Sequence, residues 1–394
     1  MGDGARAASR KMKRLWLLLA ALCFLLLAAF SPPYVRKEVS VFLDGEELPG
    51  EALRVEATHA LRAKRAGGYE KLYDRLLKDY SPKEALNYLA VGLGDYLSAE
   101  CERRKVDPLD ATLEWTKNLS DPFVYFADRP GREADLAEVG RLVARAMDND
   151  NARALAHTHE VAAAVTLEDL KRTTKEMARF STSFATSGEN RRHNLALAAS
   201  AIAGTVVSPG ESFSFNQTVG ERTAERGFRE ANVVVNGEFQ KGIGGGVCQV
   251  STTLYNAVLL AALPVENAAA HSIPVSYVPI SRDCTVSAAI DFVFRNDTAH
   301  PLYVAAEVKG STLTFALFGE ERGEPCRLES EVTERLPYRN LYEDGSEATD
   351  PAATLLSPGR EGIKSRLYLI RGATRRLIRE NYYAGKNAVY KKAA

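Results

Sequence analysis

The chain has 394 residues, 45% of them hydrophobic and 26% charged, and a formal net charge of zero. That length allows two or three domains, and the balanced charge excludes a global field that would draw nucleic acid. Five cysteines in a chain this long are too few for a disulfide scaffold, although a Cys284–Cys326 pair is one connectivity to expect.

The first elements are a basic segment, 1–14, and an apolar run, 15–30, that ends before Pro32-Pro33. Arg6, Arg10, Lys11, Lys13 and Arg14 should stay on the cytoplasmic side. No clean small-x-small cleavage site follows, so an uncleaved transmembrane signal anchor over 15–35 is favoured over a cleaved signal. The bulk of the chain is then expected outside the membrane.

Residues 39–43 read as a strand entering the Asp44-Gly45 turn, and 51–105 as helices with Leu72, Leu76, Leu77 and Tyr80 on core faces. Strands at 111–115 and 123–126 follow, then an amphipathic helix at 135–147, a strand at 160–166 and a helix from 167. Residues 191–203 place Leu195, Ala198 and Ile202 on one helical stripe, and 212–215 alternate like an edge strand. The strand 233–235 closes at Asn236-Gly237, a strong hairpin signal. Strands are expected at 275–278, 285–287, 292–294, 302–308 and 313–318, which makes 180–322 an α+β domain. In the remainder, 323–394, strands at 331–336 and 367–370 flank a polar linker at 343–358, and the basic end reads as a solvated face.

The chemistry concentrates in Gly244-Gly245-Gly246-Val247-Cys248-Gln249. Val250, Leu254, Ala257, Val258 and Ala261 share one helical face, so the three glycines deliver Cys248 onto the first turn of a helix. Free N–H groups and a partial positive charge there favour thiolate, the nucleophilic form. The glycine turn and Gln249 would supply the oxyanion site. The alternative is a buried structural cysteine, a common fate of free thiols. Cys248, His271, Asp283 and Cys284 match no compact zinc spacing, and Gly242-Ile243-Gly244-Gly245-Gly246 lacks the lysine of a phosphate loop, so no metal or cofactor is expected.

Residues 180–318 resemble the VanW domain of bacterial envelope proteins. The resemblance rests on Phe180-Ser181-Thr182-Ser183-Phe184, Arg192-His193-Asn194, Pro209-Gly210-Glu211-Ser212-Phe213-Ser214-Phe215-Asn216 and Val219-Gly220. It continues through the Gly242–Asn256 block to His271-Ser272, Pro274-Val275-Ser276-Tyr277-Val278-Pro279, Arg282-Asp283 and Asp291-Phe292. Cys284 departs from the pattern, where alanine is expected. Residues 36–176 look like the peptidoglycan-binding domain that often precedes VanW, and the tail near 357–362 resembles the small β-rich segment that follows it.

The resemblance implies an α+β VanW domain over 180–322 in a protein of the bacterial cell membrane. Its partners would be peptidoglycan stem peptides and glycan. It implies a cysteine L,D-transpeptidase, with Cys248 as nucleophile, His271 as base and Asp283 orienting the histidine. His193 is the rival base. Arg282 is the candidate for a substrate carboxylate, and Tyr277 and Ser251 are further substrate contacts. The competing expectation is a non-catalytic wall-binding accessory protein linked to glycopeptide resistance.

Overall fold

The computed structural model describes residues 34–50, 53–149, 152–235 and 238–392. Residues 15–33 of the expected anchor and the Asn236-Gly237 turn lie outside the described residues, whereas Tyr34 and Val35, expected at the anchor's end, belong to the strand Tyr34–Lys37, which pairs with Leu53–Glu56. Among the described residues no helix is long and apolar enough to cross a membrane.

The fold is mixed α+β, in two compact units. The first comprises residues up to Asp110 together with Asp128–Ala164. Its strand Val39–Leu43 runs parallel to Ala152–Ala156 and antiparallel to Glu46–Glu47. Around it lie the helices Ala57–Ala66, Tyr69–Leu76, Pro82–Leu89, Leu93–Arg104 and Leu136–Met147 and two antiparallel strand pairs, Tyr34–Lys37 with Leu53–Glu56 and Gly131–Glu133 with His159–Val161. Local signals set their ends. Ser81 and Glu84 form a reciprocal capping box with Pro82 in the first turn, and Asp135 caps the last helix. Tyr73, Leu86, Leu89, Leu97, Val143 and Met147 are buried in its core.

The second unit comprises Ala111–Ala127 and Val165–Ala394. Its centre is a four-stranded antiparallel sheet in the order Lys175–Ser183, Thr312–Gly319, Leu302–Lys309, Thr205–Val207. Alternation along Thr312–Gly319 sorts the two faces. Leu313, Phe315 and Leu317 enter the main core. Ala316 and Phe318 face a second cluster with Leu119 and Phe123. The hairpin Thr112–Trp115/Phe123–Phe126 covers that second face, with the Trp115 and Phe123 rings 5.3 and 5.0 Å from Tyr303. On the main face lies the helix Val247–Leu260, packed against Lys175–Ser183, Thr312–Gly319 and the helix Glu189–Ile202. Nearly every residue of this central helix is buried, polar ones included.

Four expectations fail locally. Residues 275–278 form no strand; Pro274 and Pro279 flank them, and proline cannot donate to a ladder. Residues 285–287 contribute only one bridge, Thr285 to Ala269. The strand expected at 160–166 is limited to His159–Val161, because Thr166 turns away to cap the helix Leu167–Thr173 with Asp169. The expected linker at 343–358 also contains a strand, Thr354–Ser357. The tail sheet pairs Gly362–Arg371 with both Cys326–Leu336 and Thr374–Tyr383.

The second cluster yields a test of the hairpin's role. Phe123→Ala should lower stability by about 3 kcal/mol through lost burial and an unfilled cavity. Chemical denaturation would check this, and an unchanged midpoint would mean that the hairpin does not support the sheet.

Candidate active site

The hairpin Glu230–Val235/Glu238–Ile243 feeds the glycine turn that starts the central helix. Gly246, its N-cap, has φ 110° and ψ −22°, a left-handed conformation that side chains resist. At Gly245 the need is space, since a Cβ there would sit 2.5 Å from the Asn232 carbonyl oxygen. Buried Asn194 fixes the turn from the helix Glu189–Ile202. It donates to the carbonyls of Gly245 at 3.0 Å and Arg229 at 2.9 Å, and accepts from the Arg229 N–H at 2.8 Å. Cys248 is thereby the second residue of the helix, and its N–H has no backbone acceptor among the described residues.

Beside it stand His271 and Asp283. His271 Nδ1 lies 2.8 Å from Asp283 Oδ2, which also accepts the His271 backbone N–H at 2.6 Å. The Tyr383 hydroxyl donates to Oδ1. Burial would push the Asp283 carboxyl up, but these donors outweigh it and hold it below the usual range. An ionised carboxylate only accepts, so Nδ1 carries the proton and Nε2 is left to the thiol. For His271 burial favours the neutral ring, yet Asp283 and Cys248 together raise it to about 9. For Cys248 burial favours the thiol, while the hydrogen bond and charge of His271 bring it below the ordinary thiol value. Cys248 keeps part of its surface open although protein surrounds it. Its sulfur donates to the Val286 carbonyl at 3.3 Å and lies 3.6 Å from Thr285 Oγ1. Ionised, it would give up the carbonyl and accept from the threonine hydroxyl.

The 281–284 loop that carries Asp283 is gripped from two sides. From the central helix, Ser251 donates to the Cys284 carbonyl at 2.6 Å, Thr252 accepts the Cys284 N–H at 2.9 Å, and Asn256 donates to the Arg282 carbonyl at 2.8 Å. From the tail sheet, the Tyr383 hydroxyl accepts the Ser281 N–H at 3.0 Å and Arg379 donates to the Ser281 carbonyl at 2.6 Å. Ser365 meets Ser281 at 2.7 Å.

Several expected site residues serve elsewhere. The Gln249 N–H, expected at an oxyanion, is donated to the Gly246 carbonyl at 3.0 Å, and the side chain bonds Thr182 and Ser183 inside the core. Ser251 is fully buried in the loop grip and does not line the cleft. Arg282 points to the tail, where it donates to the Leu328 carbonyl at 2.5 Å and approaches Ser330. His193 Nε2 meets the Gly227 carbonyl at 2.9 Å, away from the thiol. Tyr277 does line the cleft, and burial pushes its phenol strongly up. All four described cysteines are free, so the expected Cys284–Cys326 pair does not form. Cys284 is sealed in the core, and burial pushes its thiol up.

Cys248, Gln249, His271, Gly244, Gly245, Gly246 and Tyr277 line a cleft of about 2030 Å³. Two further lining residues, Arg191 and Arg222, were not foreseen, nor was the support from Tyr383 and Arg379. Asn194 lay inside a motif block, but nothing in its local pattern showed what it holds. The arrangement can hold a thiolate–imidazolium pair at the mouth of a helix dipole, next to a free N–H.

This electrostatic pairing sets a titration. Alkylation of Cys248 by iodoacetamide, followed by peptide mass spectrometry, should show a midpoint below the ordinary thiol value of about 8.5. His271→Ala should move it upward, whereas Cys284→Ala should leave it in place. An ordinary midpoint that ignores His271 would disprove the pairing.

Comparison with known proteins finds likeness over the stretch that carries this site. A profile described as "VanW like protein" matches residues 190–318. The uncharacterized protein YoaR of Bacillus subtilis is 42% identical over 149 residues, covering 38% of this chain and 49% of that protein. The vancomycin B-type resistance protein VanW of Enterococcus faecalis is 34% identical over 116 residues, covering 28% of this chain and 42% of that protein. The chain thus spans about half the length of the curated relatives it matches. No solved structure matches it significantly. Residues 190–318 of this chain are a VanW-like domain, and they contain Cys248, His271 and Asp283.

Proposed function

We propose that the VanW-like domain is a cysteine acyltransferase that cross-links peptidoglycan stem peptides as an L,D-transpeptidase. In this reading residues 15–33 tether it to a bacterial membrane, the bulk of the chain faces the wall, and residues 36–176 contact glycan. The observation that carries the chemistry is Cys248 at a helix start beside a histidine held by a buried carboxylate. The name of the Enterococcus relative, a vancomycin resistance protein, supports a setting in the cell envelope.

The chemistry follows from the groups in place. Cys248 Sγ attacks the carbonyl carbon of the donor peptide and forms a C–S bond. The Cys248 N–H and the helix dipole stabilise the oxyanion. His271 gives its proton to the departing amine as the C–N bond breaks, and the terminal D-amino acid leaves. The amine of a neighbouring stem then attacks the thioester. His271 takes that amine's proton, the C–S bond breaks, and the thiolate is restored. Asp283 stays ionised throughout and keeps Nε2 aimed at the reacting atoms.

Incubating the protein with tetrapeptide-stem muropeptides should produce cross-linked dimers, read by mass spectrometry, and Cys248→Ala should abolish them. His271→Ala should cost at least about a hundredfold in rate, the usual contribution of a positioned base. Dimer formation by Cys248→Ala would overturn the proposal, and an absence of dimers from the unaltered protein would favour an accessory wall-binding role.

A further inference from the structure

Two guanidinium groups lie in the cleft with no carboxylate in ion-pair contact among the described residues, although the charge of Asp291 favours the cationic form of Arg222. Arg191 comes from the helix Glu189–Ile202 and Arg222 from the loop after the helix Phe215–Val219. Arg191 donates to Ser187 Oγ at 2.6 Å and lies 6.0 Å from the Tyr277 ring centroid. Arg222 donates to Asn216 Oδ1 at 2.6 Å and lies 5.5 Å from the Phe215 ring centroid. Both are partly buried, and burial makes each a weaker cation than usual while the Cys248 thiolate favours its charge. Neither forms an ion pair among the described residues. The lining carboxylates Glu189, Glu221 and Glu230 are exposed, and the partner of Glu189 is Arg229, at 3.6 Å.

The glycine turn seats both arginines. A Cβ at Gly246 would sit 2.9 Å from Arg191 Cγ, and a Cβ at Gly244 would sit 2.9 Å from Arg222 Cβ. Two of the three glycines thus let arginine stems cross the start of the central helix, on either side of the residue that delivers the thiol. Holding desolvated cations beside an anionic nucleophile makes sense if another anion arrives there. Arginine suits a carboxylate, because its planar fork can make two parallel hydrogen bonds.

We propose that Arg191 and Arg222 form a carboxylate-binding subsite, which selects peptides carrying a free carboxylate next to the bond attacked by Cys248. The inference rests on the acyl-transfer reading and gives that site its substrate class, a peptide with an unblocked C-terminal residue on the leaving side. It also gives the arginines a role that the expected Arg282 cannot fill, since Arg282 is tied into the tail.

Binding can be measured without turnover. Calorimetry on the full chain with Cys248→Ala would compare a tetrapeptide-stem muropeptide with its C-terminal amide. The free acid should bind at least about tenfold more tightly, the scale of charge-assisted hydrogen bonds. Arg191→Gln or Arg222→Gln should bring the acid close to the amide, and Arg191→Lys and Arg222→Lys should keep part of the preference. Equal affinity for acid and amide, or binding of neither, overturns the inference, and this comparison needs no arginine substitution. Selective binding of the acid by a protein that makes no dimers would sink acyl transfer and leave the subsite standing. Equal dimer yield from acid and amide would do the reverse.

Discussion

The buried carboxylate of Asp283 is the constraint around which the second unit is organised. A charge this deep is tolerated only when its lone pairs are filled. Oδ2 takes both the backbone and ring N–H groups of His271, and Oδ1 takes the Tyr383 hydroxyl. Those three donors come from two separated stretches, so the charge ties the middle of the domain to its tail. The same accounting fixes the histidine tautomer and leaves Nε2 to the thiol.

The central helix has two tasks that compete for its residues. It must bury an apolar stripe against the sheet, which Val250, Leu254, Ala257 and Val258 do. It must also hold the loop that bears Asp283, which Ser251, Thr252 and Asn256 do through buried hydrogen bonds. Polar residues inside a core are costly unless paired, and here the pairing sets the position of a charge. Reading those side chains as substrate contacts, as at Ser251, mistakes a satisfied core group for an open one.

The tail gives the VanW-like domain something that the matched stretch lacks. Tyr383 and Arg379 lie beyond residue 318, where the family match ends, yet they bond to Asp283 and to the backbone of its loop. The hairpin Thr112–Trp115/Phe123–Phe126 supports the opposite face of the sheet from upstream. The site therefore depends on chain segments on both sides of the domain that carries it.

The glycine turn, the helix start at Cys248 and the alternation of the strands near 302–318 were legible in the sequence, because each follows from local backbone and periodicity rules. His271 and Asp283 were legible through ordered motif blocks. The sequence could not show which polar residues on the central helix face solvent and which face the core, since a 3.6-residue period gives faces and not what covers them. Nor could it show that Arg282 turns to the tail while Arg191 and Arg222 enter the cleft. Arginine reach and partner choice are set by long-range packing, and only the tertiary structure brings residues more than 100 positions apart to one carboxylate, as it does His271 and Tyr383 at Asp283.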